Sequence, residues 1–404
     1  MLAALFVFVE RRSADPILPL DLLTEPEARD IVQAAVSLHV TGEDRLSLLA
    51  TEGPPATRAW IERLARRESP MLHTQEIPPC QAAEDMLARI WIETLKREMA
   101  FDPAELEKEK GVVIEEIAMA EDSPEDVVHE LIMLSHFGDQ PVARPILGTE
   151  ETVSGFTREG MLTYWKNMYA PASAVLALAG NYDWNRVCEL AENHLGRWDA
   201  RQRSLADFRT NLVSPSRLFR EKDIEQANVC LGFPGVAIGA DETYEFSLIN
   251  SVLGGSMSSR LFQKIREEKG MAYSIYSYPN TYTDCGMLSV YAATRPDCLK
   301  TVVDMAREEI QSLAEKGMAR EEFEMAREQL KASYILGLES TASRMNAAGR
   351  RLLLLNRTRT EDEVIAQINA ITFEGVNALA KRILSAPGSV ALVGKDAEKL
   401  MESI

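Results

Sequence analysis

Histidine is the scarcest reactive side chain here. The 404 residues contain five: His39, His73, His129, His136 and His194. None stands in H-E-x-x-H or H-x-x-E-H, the spacings that set two zinc ligands one helical turn apart on one face. Cysteine is equally sparse. Cys80, Cys188, Cys230, Cys285 and Cys298 are odd in number and never form C-x-x-C, which argues against a disulfide framework and predicts a reduced, cytoplasmic chain. Net positive charge is missing: 44 Lys and Arg face 62 Asp and Glu, leaving −18 at neutral pH. Nothing is left over to neutralise phosphates, so nucleic acid is not an expected partner. The opening apolar run, Leu2 to Val9, is too short to span a bilayer, so no membrane partner is expected either. Gly254-Gly255-Ser256 lacks the Lys-Ser/Thr of a phosphate loop and no G-x-G-x-x-G occurs, which removes nucleotide chemistry.

What remains is ordinary soluble-protein composition, 46% apolar and 26% charged, in a chain long enough for two or three cores. Residues 1–100 read as a strand at Ala4–Val9 and helices at 27–40, 56–67 and 82–99, with no motif that carries chemistry. Further on, the pattern predicts helices at 102–120, 127–137, 157–167 and 184–195, with an apolar strand at Ala174–Ala179. The polar stretch 199–217 reads as a linker between a first domain, 1–198, and a second, 218–404. In the second domain strands are expected at 228–233, 275–281, 286–293 and 389–393. Helices are expected at 242–253, 260–268, 298–316, 371–384 and along 320–355, the last broken before Arg350. Thr157 to Gly180 and Thr372 to Gly394 share the order capping threonine, helix, connection, apolar strand and glycine, a weak internal repeat.

The acidic helix is the most informative stretch. Asp102-Pro103 supplies an N-cap and a first-turn proline, with Glu105 in the capping-box position, and Leu106, Val113 and Ile117 line one stripe. Glu109 and Glu116 are seven residues apart and share another face, which by itself describes a solvated acidic surface. Its surroundings in the chain say more. E-K-E-K-G-V-V-I-E-E-I at 107–117 is followed by P-V-A-R-P-I-L-G-T-E-E at 141–151, then by Tyr169-Ala170-Pro171 and Ala179-Gly180-Asn181. Together these resemble the pitrilysin/insulinase family of inverted-motif zinc metallopeptidases, more narrowly its bacterial processing-peptidase-like members, over residues 101–404. The resemblance implies that Glu116 is the distant zinc ligand and Glu109 its supporting carboxylate. It also implies an α+β fold of two homologous domains, each a mostly antiparallel sheet covered by helices, enclosing a groove for an extended peptide.

R-L-F-Q-K-I-R-E-E-K-G-M-A-Y-S at 260–274 extends the match. The family's arginine and tyrosine fall on Arg266 and Tyr273, as donors to a substrate carbonyl and its oxyanion. From the residues alone, Arg266 in a surface ion pair with a nearby acid such as Glu267 or Glu268 and Tyr273 in the core is the more ordinary reading. Gly270 lies between them, so a helix end and a turn are expected. The departure is the zinc. The H-x-x-E-H that should precede Glu116 is absent, and His39, the histidine nearest that position, has no second histidine four residues on. Either the chain is a zinc-less relative that binds peptides or a homologous subunit, as a homo- or heterodimer, or its first hundred residues are not the family's segment. The expectation is a processing-peptidase-like protein of zinc endopeptidase lineage with little or no activity alone. The alternative is a non-catalytic subunit of an active relative.

Overall fold

The computed structural model describes residues 101–180, 182–196, 209–211 and 215–404. The elements expected before residue 100, most of the linker 199–217, and His39 lie outside these residues. The chain divides into two compact units. The described part of the smaller one, 178–180 and 182–196, holds one helix at Trp184–Leu195, started by the Asp183 carboxylate accepting the Arg186 N–H at 2.9 Å. The larger unit holds every other described helix and strand.

Helix α1, Pro103–Asp122, begins as its sequence dictates: Asp102 accepts from Ala104 N at 2.8 Å and from Glu105 N at 3.3 Å. Glu105 does not close a capping box. Its carboxylate pairs instead with Lys108 at 2.6 Å. The α1 stripe is present but only half-buried, and no α1 residue is fully buried. Ser123 ends α1 and caps α2, Pro124–Phe137, accepting from Asp126 N at 3.3 Å. Two short helices follow, α3 (Glu150–Ser154) and α4 (Arg158–Met168), the second capped by Thr157. Ala174–Ala179, expected as a strand, is not one: it lies outside regular structure, with no ladder partner among the described residues. An apolar run specifies burial, and only a neighbouring backbone makes it a strand.

The sheet is built from β1 (Arg217–Glu221), β2 (Ala227–Pro234), β3 (Ala272–Thr281), β4 (Gly286–Thr294) and β5 (Ser389–Gly394), in the order β1-β5-β2-β4-β3. Only β1–β5 is parallel, so the sheet is mostly antiparallel and the architecture is α+β, as expected. β1 reads R-L-F-R-E, without apolar alternation, and could not be seen in the sequence; it exists because β5 supplies its hydrogen bonds. Helices α5 (Thr243–Leu253), α6 (Leu299–Lys316), α7 (Arg320–Gly337), α8 (Thr341–Leu355), α9 (Glu361–Ala370), α10 (Phe373–Leu384) and α11 (Ala397–Ser403) complete the unit. The long helix expected at 320–355 breaks at Leu338–Ser340, where Ser340 caps α8.

Strand alternation sorts the core into two layers. Val229, Leu231, Leu288, Val290, Val390 and Leu392 face one core, which includes residues of α5, α6, α9 and α10. Cys230, Met287, Tyr291, Ala293, Ala391 and Val393 face the other way and meet Val127, Val128 and Ile132 of α2. The sheet is therefore covered on both faces, one of them by a helix from the part of the sequence read as the first domain. Gly232 makes the approach of α2 possible: a Cβ there would stand 2.9 Å from Met287 Sδ and 3.2 Å from Ile132 Cγ1.

Candidate functional site

The segment expected as a helix at 260–268 is π-helical over Phe262–Glu267. It is clamped at two points. Arg260 forms a two-pronged pair with Glu322 of α7, Nε to Oε1 at 2.7 Å and Nη2 to Oε2 at 2.6 Å, and Lys264 reaches Glu309 of α6 at 2.7 Å. Glu322 also accepts the Ala319 N–H at 2.7 Å. Burial works against ionising the Glu322 carboxyl, but these hydrogen bonds outweigh it and hold the group below its usual range. After the π turn the chain reverses through Gly270, whose φ of +60° is left-handed, and enters β3. The register of β3 on β4 slips between Ala272 and Ser274, so Tyr273 is the extra residue of a β-bulge.

That local geometry brings Arg266 and Tyr273 together. The guanidinium lies 4.8 Å from the centre of the Tyr273 ring and 4.7 Å from that of Phe262. Its nearest carboxylate is Glu267 at 4.0 Å, too long for a hydrogen bond. Tyr273 is 77% exposed, not core, and its hydroxyl makes no hydrogen bond among the described residues. Arg266 is thus stacked on two rings with one long contact to Glu267, and the Tyr273 hydroxyl has no hydrogen-bond partner among the described residues. Phe262 was not recognised in the sequence; its spacing of four from Arg266 is the signal that would have found it. β3 is an edge strand of the sheet, but the Ser277 N–H donates to the Gly254 carbonyl at 3.1 Å, which closes its outer edge there. The end beside Tyr273 lies clear of this bond.

Glu109 and Glu116 are exposed on α1 and make no hydrogen bond or ion pair among the described residues. No bond joins either of them to Arg266 or Tyr273. Among the described residues no three His, Cys, Asp or Glu side chains are grouped to hold a metal. The residues described therefore do not fit a zinc site: Glu116 would supply at most one ligand, and the two histidines near it in sequence make hydrogen bonds elsewhere. His136 Nδ1 lies 3.2 Å from Ser389 Oγ. His129 sits in a hydrogen-bonded chain missed in the sequence, because it joins residues about 150 positions apart. Tyr276 donates to Glu125 at 2.6 Å, so its oxygen is left to accept from His129 Nε2 at 3.1 Å, and the Tyr278 hydroxyl lies 2.5 Å from His129 Nδ1.

The contacts suit a neutral imidazole with the proton on Nε2 and Nδ1 accepting from Tyr278. Burial lowers the pKa of His129 against the pull of Glu125 and Asp126, and burial lowers that of His136. Both would be charged in the unfolded chain below about pH 6.5. Stability is then greatest above that pH and falls as the pH drops from it through the folded values, because the unfolded state binds the extra protons. Glu130, whose carboxyl is raised by burial, acts in the opposite sense at lower pH. The melting temperature is expected to fall between about pH 7.5 and pH 5.5, and calorimetry of His129→Gln should show a shallower fall. An equal slope in both proteins would exclude His129 as a source of the pH dependence.

The larger unit is thus an α+β fold around a mostly antiparallel sheet, with Arg266 stacked on Tyr273 at one end of β3. Residues 80–150 match the insulinase family, peptidase family M16, and residues 155–330 match the peptidase M16 inactive domain. The first match begins ahead of residue 101, where the recognisable motifs start. The chain is 40% identical over 297 residues to the uncharacterized zinc protease YmxG of Bacillus subtilis, covering 72% of this chain and 71% of that one. It is 35% identical to an uncharacterized zinc protease of Streptomyces coelicolor, over 74% of this chain and 68% of the other. This protein belongs to the M16 family, the insulinase or pitrilysin peptidases. Its fold is like that of a peptidase M16 inactive domain from Pseudomonas fluorescens, with a TM-score of 0.67 at 19% identity over 73% of this chain and 71% of that one. It is also like that of a protease from Helicobacter pylori, with a TM-score of 0.65 at 17% identity over 72% of each.

Proposed function

We propose that this chain binds extended peptides, with a backbone carbonyl of the ligand accepting hydrogen bonds from the Arg266 guanidinium and the Tyr273 hydroxyl. The carrying observation is that Arg266 stacks on the Tyr273 ring while neither group donates a side-chain hydrogen bond among the described residues. A peptide entering beside the bulge meets β3 where its outer edge is not closed by Gly254, and the bulge directs Tyr273 outward. The excess of acidic residues favours basic ligands. The sequence lacks the histidine pair and the glutamate of H-x-x-E-H, so binding without efficient hydrolysis is the expected behaviour of the isolated chain. A homologous catalytic subunit is the partner that would supply the chemistry. The described cysteines are free thiols, which suits the cytoplasm, and no described helix is long and apolar enough to cross a membrane.

Fluorescence anisotropy with a labelled, unstructured basic peptide tests this. Arg266→Ala and Tyr273→Phe should each weaken binding by roughly tenfold, the worth of one good hydrogen bond to a charged or polarised donor. Binding unchanged in both variants would reject the site. The second reading is an active zinc peptidase, favoured by the carboxylates of Glu109 and Glu116, which are exposed and without a partner among the described residues. It requires stoichiometric zinc by elemental analysis, lost in Glu116→Ala. No zinc in the parent protein leaves the binding reading alone.

A further inference from the structure

A cleft of about 410 Å³ opens between α6, the α10–β5 turn and β2, lined by neither Arg266 nor Tyr273. Arg307 of α6 lines it, half-buried, and makes no hydrogen bond or ion pair among the described residues. The acid nearest in charge, Asp304, is taken by Lys300 at 2.7 Å. Arg217 adds a second positive charge close by, and its own donors go to the backbone oxygens of Met401 and Ile404. Burial and Arg217 together hold the Arg307 guanidinium below its ordinary range, as expected for a cation lacking a counter-ion. The floor beside it is apolar, from Leu231 and Phe233, and Ser385 stands at the rim. Glu315 lies two turns further along the same helix, roughly 12 Å from Arg307. It accepts from Gln311 at 2.8 Å and has no cationic partner among the described residues.

We propose that this cleft binds a carboxylate with an apolar body, the carboxylate forming a two-pronged pair with Arg307. A planar guanidinium fork fits a carboxylate on two parallel N–H···O bonds, and the pair gains where water is partly excluded. The apolar floor takes the body of the ligand. Glu315 sets the polarity of the far end: a second negative charge there is repelled, whereas a neutral or cationic group is accepted. A peptide's free C-terminus and a short aliphatic acid share this chemistry.

Isothermal titration of the full chain separates them, with three probes: a tripeptide of small apolar residues as the free acid, the same tripeptide C-terminally amidated, and hexanoate. Binding of the free-acid tripeptide, at least tenfold weaker for its amide and for Arg307→Gln, is the expected result. Hexanoate binding as well as the tripeptide assigns the site to aliphatic acids and still supports it. Arg307→Lys, which keeps the charge without the fork, should lose part of the affinity. Circular dichroism of each variant confirms folding. The proposal is overturned if neither acid binds at millimolar concentration, if the amide binds equally, or if folded Arg307→Gln is unaffected. Arg266→Ala should leave this affinity unchanged, so the site stands or falls apart from the proposed peptide-carbonyl contact.

Discussion

Ile132→Ala is expected to cost about 3 kcal/mol of stability, measured as a shift of the urea midpoint at constant slope. Ile132 is completely buried at the centre of α2, against the sheet face formed by Cys230, Met287, Tyr291 and their neighbours. Gly232 lies directly beneath it, with nothing beyond hydrogen to fill a void. The walls are strand backbone and side chains already committed to two cores, so the cavity has little room to collapse. The cost therefore combines the transfer of the deleted carbons with the dispersion attraction that the cavity walls forfeit. Ile132→Val, which removes one carbon, should cost about 1 kcal/mol. A loss near zero for Ile132→Ala would mean that α2 does not depend on the sheet for its place.

Glu322→Ala is the second large effect, about 2–3 kcal/mol. The side chains of Arg260 and Glu322 are 17% and 29% exposed, so the pair is largely withdrawn from water. Removing the carboxylate strands the guanidinium, left with a single bond to the Gly317 carbonyl at 3.3 Å, and also frees the Ala319 N–H at the start of α7. The damage extends to function, because this pair anchors the entry to the π-helical segment that carries Arg266. Peptide binding should weaken in Glu322→Ala although Glu322 lies outside the proposed contact. The double variant Arg260→Ala/Glu322→Ala should lose less than the sum of the single losses, since no charge is then left unpaired. Strict additivity would demote the pair to an ordinary surface contact.

Much of this was legible in the chain because it is local. Asp102-Pro103, Ser123, Thr157 and Thr372 start helices by accepting N–H groups two or three residues on, a rule that needs no tertiary context. The strands 228–233, 286–293 and 389–393 announced themselves as apolar runs, and both of their faces are indeed buried. Ala174–Ala179 carries the same signal without a ladder among the described residues, and β1 has a ladder without the signal. Pairing belongs to the neighbour as much as to the strand.

The same division runs through the sites. The sequence by itself determined that Arg266 and Tyr273 are separated by a glycine turn, that Glu109 and Glu116 share a helix face, and that no histidine pair is spaced for zinc. The tertiary structure decided the rest. A π turn, a left-handed Gly270 and a bulge together stack Arg266 on Tyr273. Packing over about 150 residues of separation encloses His129 among tyrosines, and it leaves Arg307 in a cleft without a counter-ion among the described residues. Spacing along a chain encodes which residues share a turn of helix. Which charges lose water and which lose their partners is set only when distant elements close on one another.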